Sequence, residues 1–144
     1  MADALRALTT MNGRFAPHLA RRLLAGPRAD AVPAAFAAHC ADMGFEFTEG
    51  WADNNLPYVT PLLQAFCAGR ESVRYLEIGA YEGKTLAFMD WLLPGKLDVT
   101  VIDPWFDEAL NPEAKYHAVE RHFARNSAKL GFRSLATRKG FSTY

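Results

Sequence analysis

The spacing of apolar residues changes character near residue 70. Upstream, Leu5 and Leu8, then Phe15, Leu19 and Leu23, then Phe36, Cys40 and Met43 recur three or four positions apart, which predicts short amphipathic helices. Gly13, Gly26-Pro27 and Gly44 interrupt them. The stretch GFEFTEGWADNNLPYV, 44–59, keeps no period and is dense in turn formers, so it reads as a long loop. Thr60 as N-cap, Pro61 as first helical residue and Gly69 as stop then predict a helix over PLLQAFCA.

Downstream, short runs of strand formers alternate with helical periods. VRYLEIGA, 73–80, and LDVTVID, 97–103, predict strands, and KTLAFMDWLL between them sets Leu86, Met89, Leu92 and Leu93 on one helical face before Pro94-Gly95. Asn111-Pro112-Glu113 supplies the cap, proline and acid of a helix start, with Tyr116, Val119, Phe123 and Leu130 as its buried stripe and Gly131 as its end. FRSLATR, 132–138, completes a third strand. Strands separated by helices of this length specify a parallel sheet, so the fold class is α/β. Residues 1–70 form a helical N-terminal region with a long loop, and residues 71–144 a strand–helix unit.

Composition narrows the partners. Half of the 144 residues are apolar, enough for a core, and sixteen basic side chains balance sixteen acidic ones. That balance provides no field for non-specific nucleic-acid or membrane-surface binding, which favours a small-molecule partner. Cys40 and Cys67 form neither a Cys-x-x-Cys pair nor a disulfide framework and read as buried thiols in a reducing compartment. With no long apolar span and no secretory signal, the expected location is cytoplasmic. The first 28 residues carry Arg6, Arg14, Arg21, Arg22 and Arg28 against Asp3 alone, a pattern shared by transit peptides and by solvated helical faces, the latter being the simpler reading.

The segment YLEIGAYEGKT concentrates the candidate chemistry. Glu77 near the end of a strand is followed by Gly79 and Gly83 and at once by a helix. Glycine admits positive φ and close approach of a ligand to the backbone, and free N–H groups at a helix start face that ligand. Such a turn at the carboxyl edge of a parallel sheet is a nucleotide-site candidate. Asp103, closing the next strand, adds a carboxylate able to accept both ribose hydroxyls of an adenosine. Each residue also has a structural alternative: Glu77 as a loop cap, the glycines as plain turns, Asp103-Pro104 as a turn pair.

With these residues in place, the sequence resembles the class I S-adenosylmethionine-dependent methyltransferases. Glu77, Gly79 and Gly83 match the acid and glycines of their first motif, with Tyr81 where the middle glycine stands. EIGAYEGKT looks most like the form found in catechol-type O-methyltransferases and related bacterial small-molecule enzymes. VTVIDP, 99–104, is similar to their second motif, and FTEGWADNNLPYVTPLL to a segment upstream of the first strand in some bacterial members. The resemblance covers roughly residues 45–142. It implies a Rossmann-like sheet, S-adenosyl-L-methionine as cofactor and a small-molecule methyl acceptor. By the same resemblance Gly79, Ala80 and Tyr81 approach the methionyl part, Thr85 hydrogen-bonds its carboxylate, Asp103 holds the ribose, and Gly140 within KGFS, 139–142, borders the adenine. Phe141 departs from the acid or amide that the family often has there.

Trp51, Tyr58 and Trp105 are candidates for a substrate pocket or, more simply, for packing. His117 and His122, five apart on a helix, diverge and read as solvated positions, and no metal site is expected. His18 and His39 have no convergent partner.

A doubly wound sheet needs about six strands at about 30 residues per βαβ step, and residues 73–144 hold three strands. The family's catalytic base and much of its acceptor pocket follow the fourth strand, so catalytic residues are expected outside this sequence. The expectation is a shortened chain, in preference to a half-domain completed by a partner or a non-catalytic remnant. Its first strand would show an open edge, so that the chain dimerises or forms a homo-oligomer, aggregates or stays marginally stable, and it would show no turnover even where it binds cofactor. Two rival readings stand beside this: a dinucleotide-binding half-domain, disfavoured because the turn reads G-A-Y-E-G, and a non-enzymatic interaction module that pairs through the open edge.

Overall fold

The structure, a computed structural model, describes residues 31–53, 55–105 and 118–141, without the side chains of Pro57 and Tyr58. The helices expected around Leu5, Leu8, Phe15, Leu19 and Leu23, the helix start at Asn111-Pro112-Glu113, Tyr116, His18 and His117 lie outside the described residues. In chain order the elements are α1 (Ala31–Asp42), α2 (Leu56–Cys67), β1 (Val73–Ile78), α3 (Lys84–Leu92), β2 (Leu97–Asp103), α4 (Val119–Ser127) and β3 (Ser134–Lys139).

The three strands form one parallel sheet in the order β1-β2-β3, an α/β, Rossmann-like arrangement preceded by helices. Val73 pairs with Leu97 and Ile78 with Ile102, while Asp98 pairs with Ser134 and Asp103 with Lys139. Parallel strands need a crossover element between them, and α3 and α4 occupy those positions. The period-2 pattern aims Leu97, Val99 and Val101 at a core that also contains Leu86, Met89 and Leu93 around α3, Val119 and Phe123 of α4, and Trp105. The other side of β1 carries Leu76 and Ile78, which are 54% and 56% exposed. Among the described residues no strand pairs with the outer edge of β1.

Helix α3 is buried on two sides. Leu86 and Met89 enter the sheet core, whereas Ala87 and Phe88 join a second core with Phe36 of α1 and Leu56 of α2. The Phe36 ring meets Phe88 edge-on at 5.2 Å and Trp91 at 5.7 Å. The expected single stripe thus covers half of what α3 buries.

Helix α2 corrects the expected boundary. It starts at Leu56, four residues before Thr60, and encloses Pro61. Leu56 is 3% exposed in the second core, and Pro57 at the second helical position needs no N–H partner, so burial and the early proline draw the start upstream. Thr60 is therefore no cap, and its hydroxyl donates to the Leu56 carbonyl at 2.7 Å. The expected α4 stripe is present at Val119 and Phe123, but the helix stops at Ser127, ahead of Leu130 and Gly131. Cys67 is buried and Cys40 half-buried, both as free thiols; burial pushes the Cys40 thiol up to about 11, with Lys84 opposing and Asp53 adding to the rise.

Candidate functional site

Parallel pairing brings the ends of β1 and β2 side by side. The Gly79 N–H extends the ladder by donating to the Ile102 carbonyl at 3.0 Å, and the Gly140 N–H does the same beyond β3, to the Asp103 carbonyl at 3.1 Å. Gly79 and Gly83 adopt φ of +79° and +84°, the left-handed region where a Cβ is strained. Gly83 caps α3, and a Cβ there would meet the Phe123 ring at 3.4 Å. Above Gly79 there is open space, with nothing within 4 Å of the position a Cβ would take.

Between the two glycines stands Tyr81, at φ +53°, and beyond Asp103 stands Trp105, at φ +44°. Holding a non-glycine residue there costs about 1–2 kcal/mol, so something must restrain both. The restraint is Asp103. Its carboxylate, 6% exposed, accepts the Tyr81 N–H at 2.8 Å and the Trp105 N–H, and the Trp105 indole N–H closes the ring by donating to the Tyr81 carbonyl at 3.1 Å. Tyr81 thus keeps a conformation that glycine adopts more readily. Each Asp103 oxygen accepts one of these N–H groups and retains a second lone pair.

Glu77 lies beside Asp103. Burial raises its carboxyl above the ordinary value near 4.5, the Tyr75 hydroxyl that donates to it opposes the rise, and the Asp103 charge adds to it. An acid raised on folding favours the protonated form in the native state. Its stabilising contribution is therefore complete below the unfolded value and lost as pH climbs through the folded one. Glu77→Gln, which stays neutral, should accordingly match the wild type near pH 4 and exceed it in stability at pH 7. Chemical denaturation across that range would show it, and a variant no more stable at pH 7 would refute the assignment.

Gly79, Ala80, Tyr81 and Thr85 line one cavity of about 250 Å³, whose far wall is Glu49, Trp51 and Ala52. Glu77, Gly83, Asp103 and Gly140 do not line this cavity: Gly83 is packed on Phe123, and Gly140 lies at the same sheet edge. Trp105 is a core residue, its ring tilted by 52° against Phe123 at 4.7 Å. Trp51 is a wall residue, 63% exposed and 4.9 Å from the Tyr81 ring.

The wall is held by residues that the sequence pattern does not single out. Glu82, 2% exposed, accepts the Thr48 N–H on Oε2 at 2.6 Å and the Thr48 hydroxyl on Oε1 at 3.0 Å, and His122 Nδ1 lies 2.7 Å from that same Oε1. Asn126, fully buried, donates to the Glu46 and Glu82 carbonyls at 2.9 Å each and accepts the Glu46 N–H at 2.9 Å. His122 is therefore no solvated position: it faces Glu82, with Glu46 3.7 Å from its Nε2. Lys84 offers the one signal in the sequence, because a cation at the first residue of a helix opposes the helix dipole. Its partner is Asp53, at 2.7 Å.

No family model matches the chain, and neither a curated protein nor a solved structure matches it. No group of three or more metal-ligating side chains is found among the described residues, and no described helix is long and apolar enough to cross a membrane.

Proposed function

We propose that the cleft at the carboxyl edge of β1 and β2 binds S-adenosyl-L-methionine and that the protein serves methyl transfer to a small-molecule acceptor, with oxygen the favoured acceptor atom, in a cytoplasmic setting. The observation that carries this reading is the open, left-handed Gly79 turn leading into α3, set beside a buried Asp103 with lone pairs to spare. Gly79 and Ala80 would let the methionyl part lie against the backbone, Thr85 and the N-terminus of α3 would hold its carboxylate, and Asp103 would accept ribose hydroxyls. When bound, the cofactor supplies a methyl group already activated on sulfonium. The chain's own task is then to orient donor and acceptor and to keep water out of the cleft.

Isothermal titration with S-adenosylhomocysteine tests it. Wild type should bind, whereas Gly79→Val should fold, with about 1–2 kcal/mol of strain, and lose binding at least tenfold because the new side chain fills the open space over the turn. A Gly79→Val protein that binds as well as wild type would make the turn purely structural.

One observation favours a second reading, an interaction module: β1 has no partner on its outer edge among the described residues, and Leu76 and Ile78 beside it are more than half exposed. Its occupant would be a second copy of this chain, pairing edge to edge. A stable dimer in sedimentation that ignores every adenosine ligand would select this reading over the first.

A further inference from the structure

The wall opposite the glycine turn carries chemistry of its own. Glu49 is half-buried on the cavity and has no ion-pair partner among the described residues. The cation on the same cavity, Lys84, is already paired with Asp53 at 2.7 Å, and Glu82 is engaged by Thr48 and His122. Glu49 is therefore a carboxylate on this cavity without an ion-pair partner among the described residues, two positions from an exposed indole, Trp51, that lines the same cavity. The first turn of α3, on the same cavity, presents free N–H groups.

A carboxylate beside an aromatic face attracts a cation with apolar substituents, through charge and through the ring quadrupole. A sulfonium fits that description: it bears three carbon substituents and has no N–H to satisfy. The N–H groups at the start of α3 suit a carboxylate. The wall is also pre-ordered, since Thr48 and Glu46, just before Glu49, are tied to Glu82 and Asn126 by hydrogen bonds of 2.6–3.0 Å. Little ordering entropy remains to be lost when a ligand enters.

We infer that Trp51 and Glu49 form a cation-recognising wall that lets this cleft distinguish the sulfonium donor from its neutral thioether product. The inference rests on the function proposed above and adds residues that lie outside the strand–turn–helix motif. Its consequence is that spent cofactor leaves more readily than fresh cofactor, because the positive charge that holds the donor disappears when the methyl group is transferred.

The test is calorimetric affinity for S-adenosylmethionine and S-adenosylhomocysteine, measured on wild type, Trp51→Leu and Glu49→Gln. Wild type should prefer the sulfonium about 3- to 30-fold, the span of a partly desolvated cation–π contact. Each variant should lose most of that preference while holding the neutral thioether within about threefold of wild type, which also shows that the cleft is intact. Parallel losses for both ligands, or an unchanged preference in both variants, would overturn the cation-recognition role and leave the proposed function standing. Wild type that binds neither ligand would overturn the proposed function, and this inference with it.

Discussion

Asp103→Ala is expected to unfold roughly 6–20 °C below wild type even without ligand. The carboxylate is buried and accepts two backbone N–H groups, of Tyr81 and Trp105, which the substitution leaves without acceptors. Each orphaned buried donor costs about 1–3 kcal/mol, and the two residues concerned also sit at positive φ, so they have strain to release once the tether is gone. Asp103→Asn returns one acceptor oxygen and turns an amide NH₂ toward the other donor, so its loss should be intermediate. Thermal unfolding of the three proteins decides the matter: equal midpoints for wild type and Asp103→Ala would remove Asp103 from the architecture of the turn. Any change in S-adenosylhomocysteine affinity in these variants must therefore be measured well below their midpoints, whereas Gly79→Val tests the cleft with far less disturbance of the fold.

Glu82→Ala should be about as damaging, since it costs about 1–3 kcal/mol for each donor left without an acceptor. Glu82 is 2% exposed and joins three segments: its own turn, the loop at Thr48 and α4 at His122. Without it the Thr48 N–H and hydroxyl and the His122 ring nitrogen lose their partner, and the wall bearing Glu49 and Trp51 loses its anchor. Two measurements check this. Denaturation of Glu82→Ala, His122→Ala and the double variant should give a coupling energy above about 0.5 kcal/mol, as contacting residues do. Amide hydrogen exchange should show protection lost at Thr48 before it is lost in β2. Additive effects and unchanged exchange at Thr48 would mean that the cluster does not hold the wall.

The two variants locate different parts of one device. Asp103 shapes the turn from beneath, and Glu82 draws the loop against it from the side. Both are acids in or next to the motif, yet the sequence makes only Asp103 conspicuous, and there for a ligand role rather than for the backbone role that its contacts display.

What the sequence by itself determined is the part of the molecule governed by local periodicity. The β2 span of Leu97–Asp103 follows directly from its alternating pattern, and β1, α3 and β3 lie within a residue or two of the spans the sequence predicts. The parallel order follows in turn, because strands joined by helices have few other ways to pack. Gly79 and Gly83 were legible as well, since the backbone they require is a property of the turn. Only the tertiary structure decided the rest. Thr48, Glu82, His122 and Asn126 are separated by 34 to 80 positions in the contacts they make, and no pattern along the chain encodes which buried acid meets which donor. The start of α2 moved because Leu56 found a place beside Phe36 and Phe88, and Trp51 and Trp105, alike in sequence, parted into a cavity wall and a core. Side-chain period reports which face an element buries. Which partner waits on that face depends on how elements distant in sequence come together, and hydrogen bonds between buried groups are chosen at that stage.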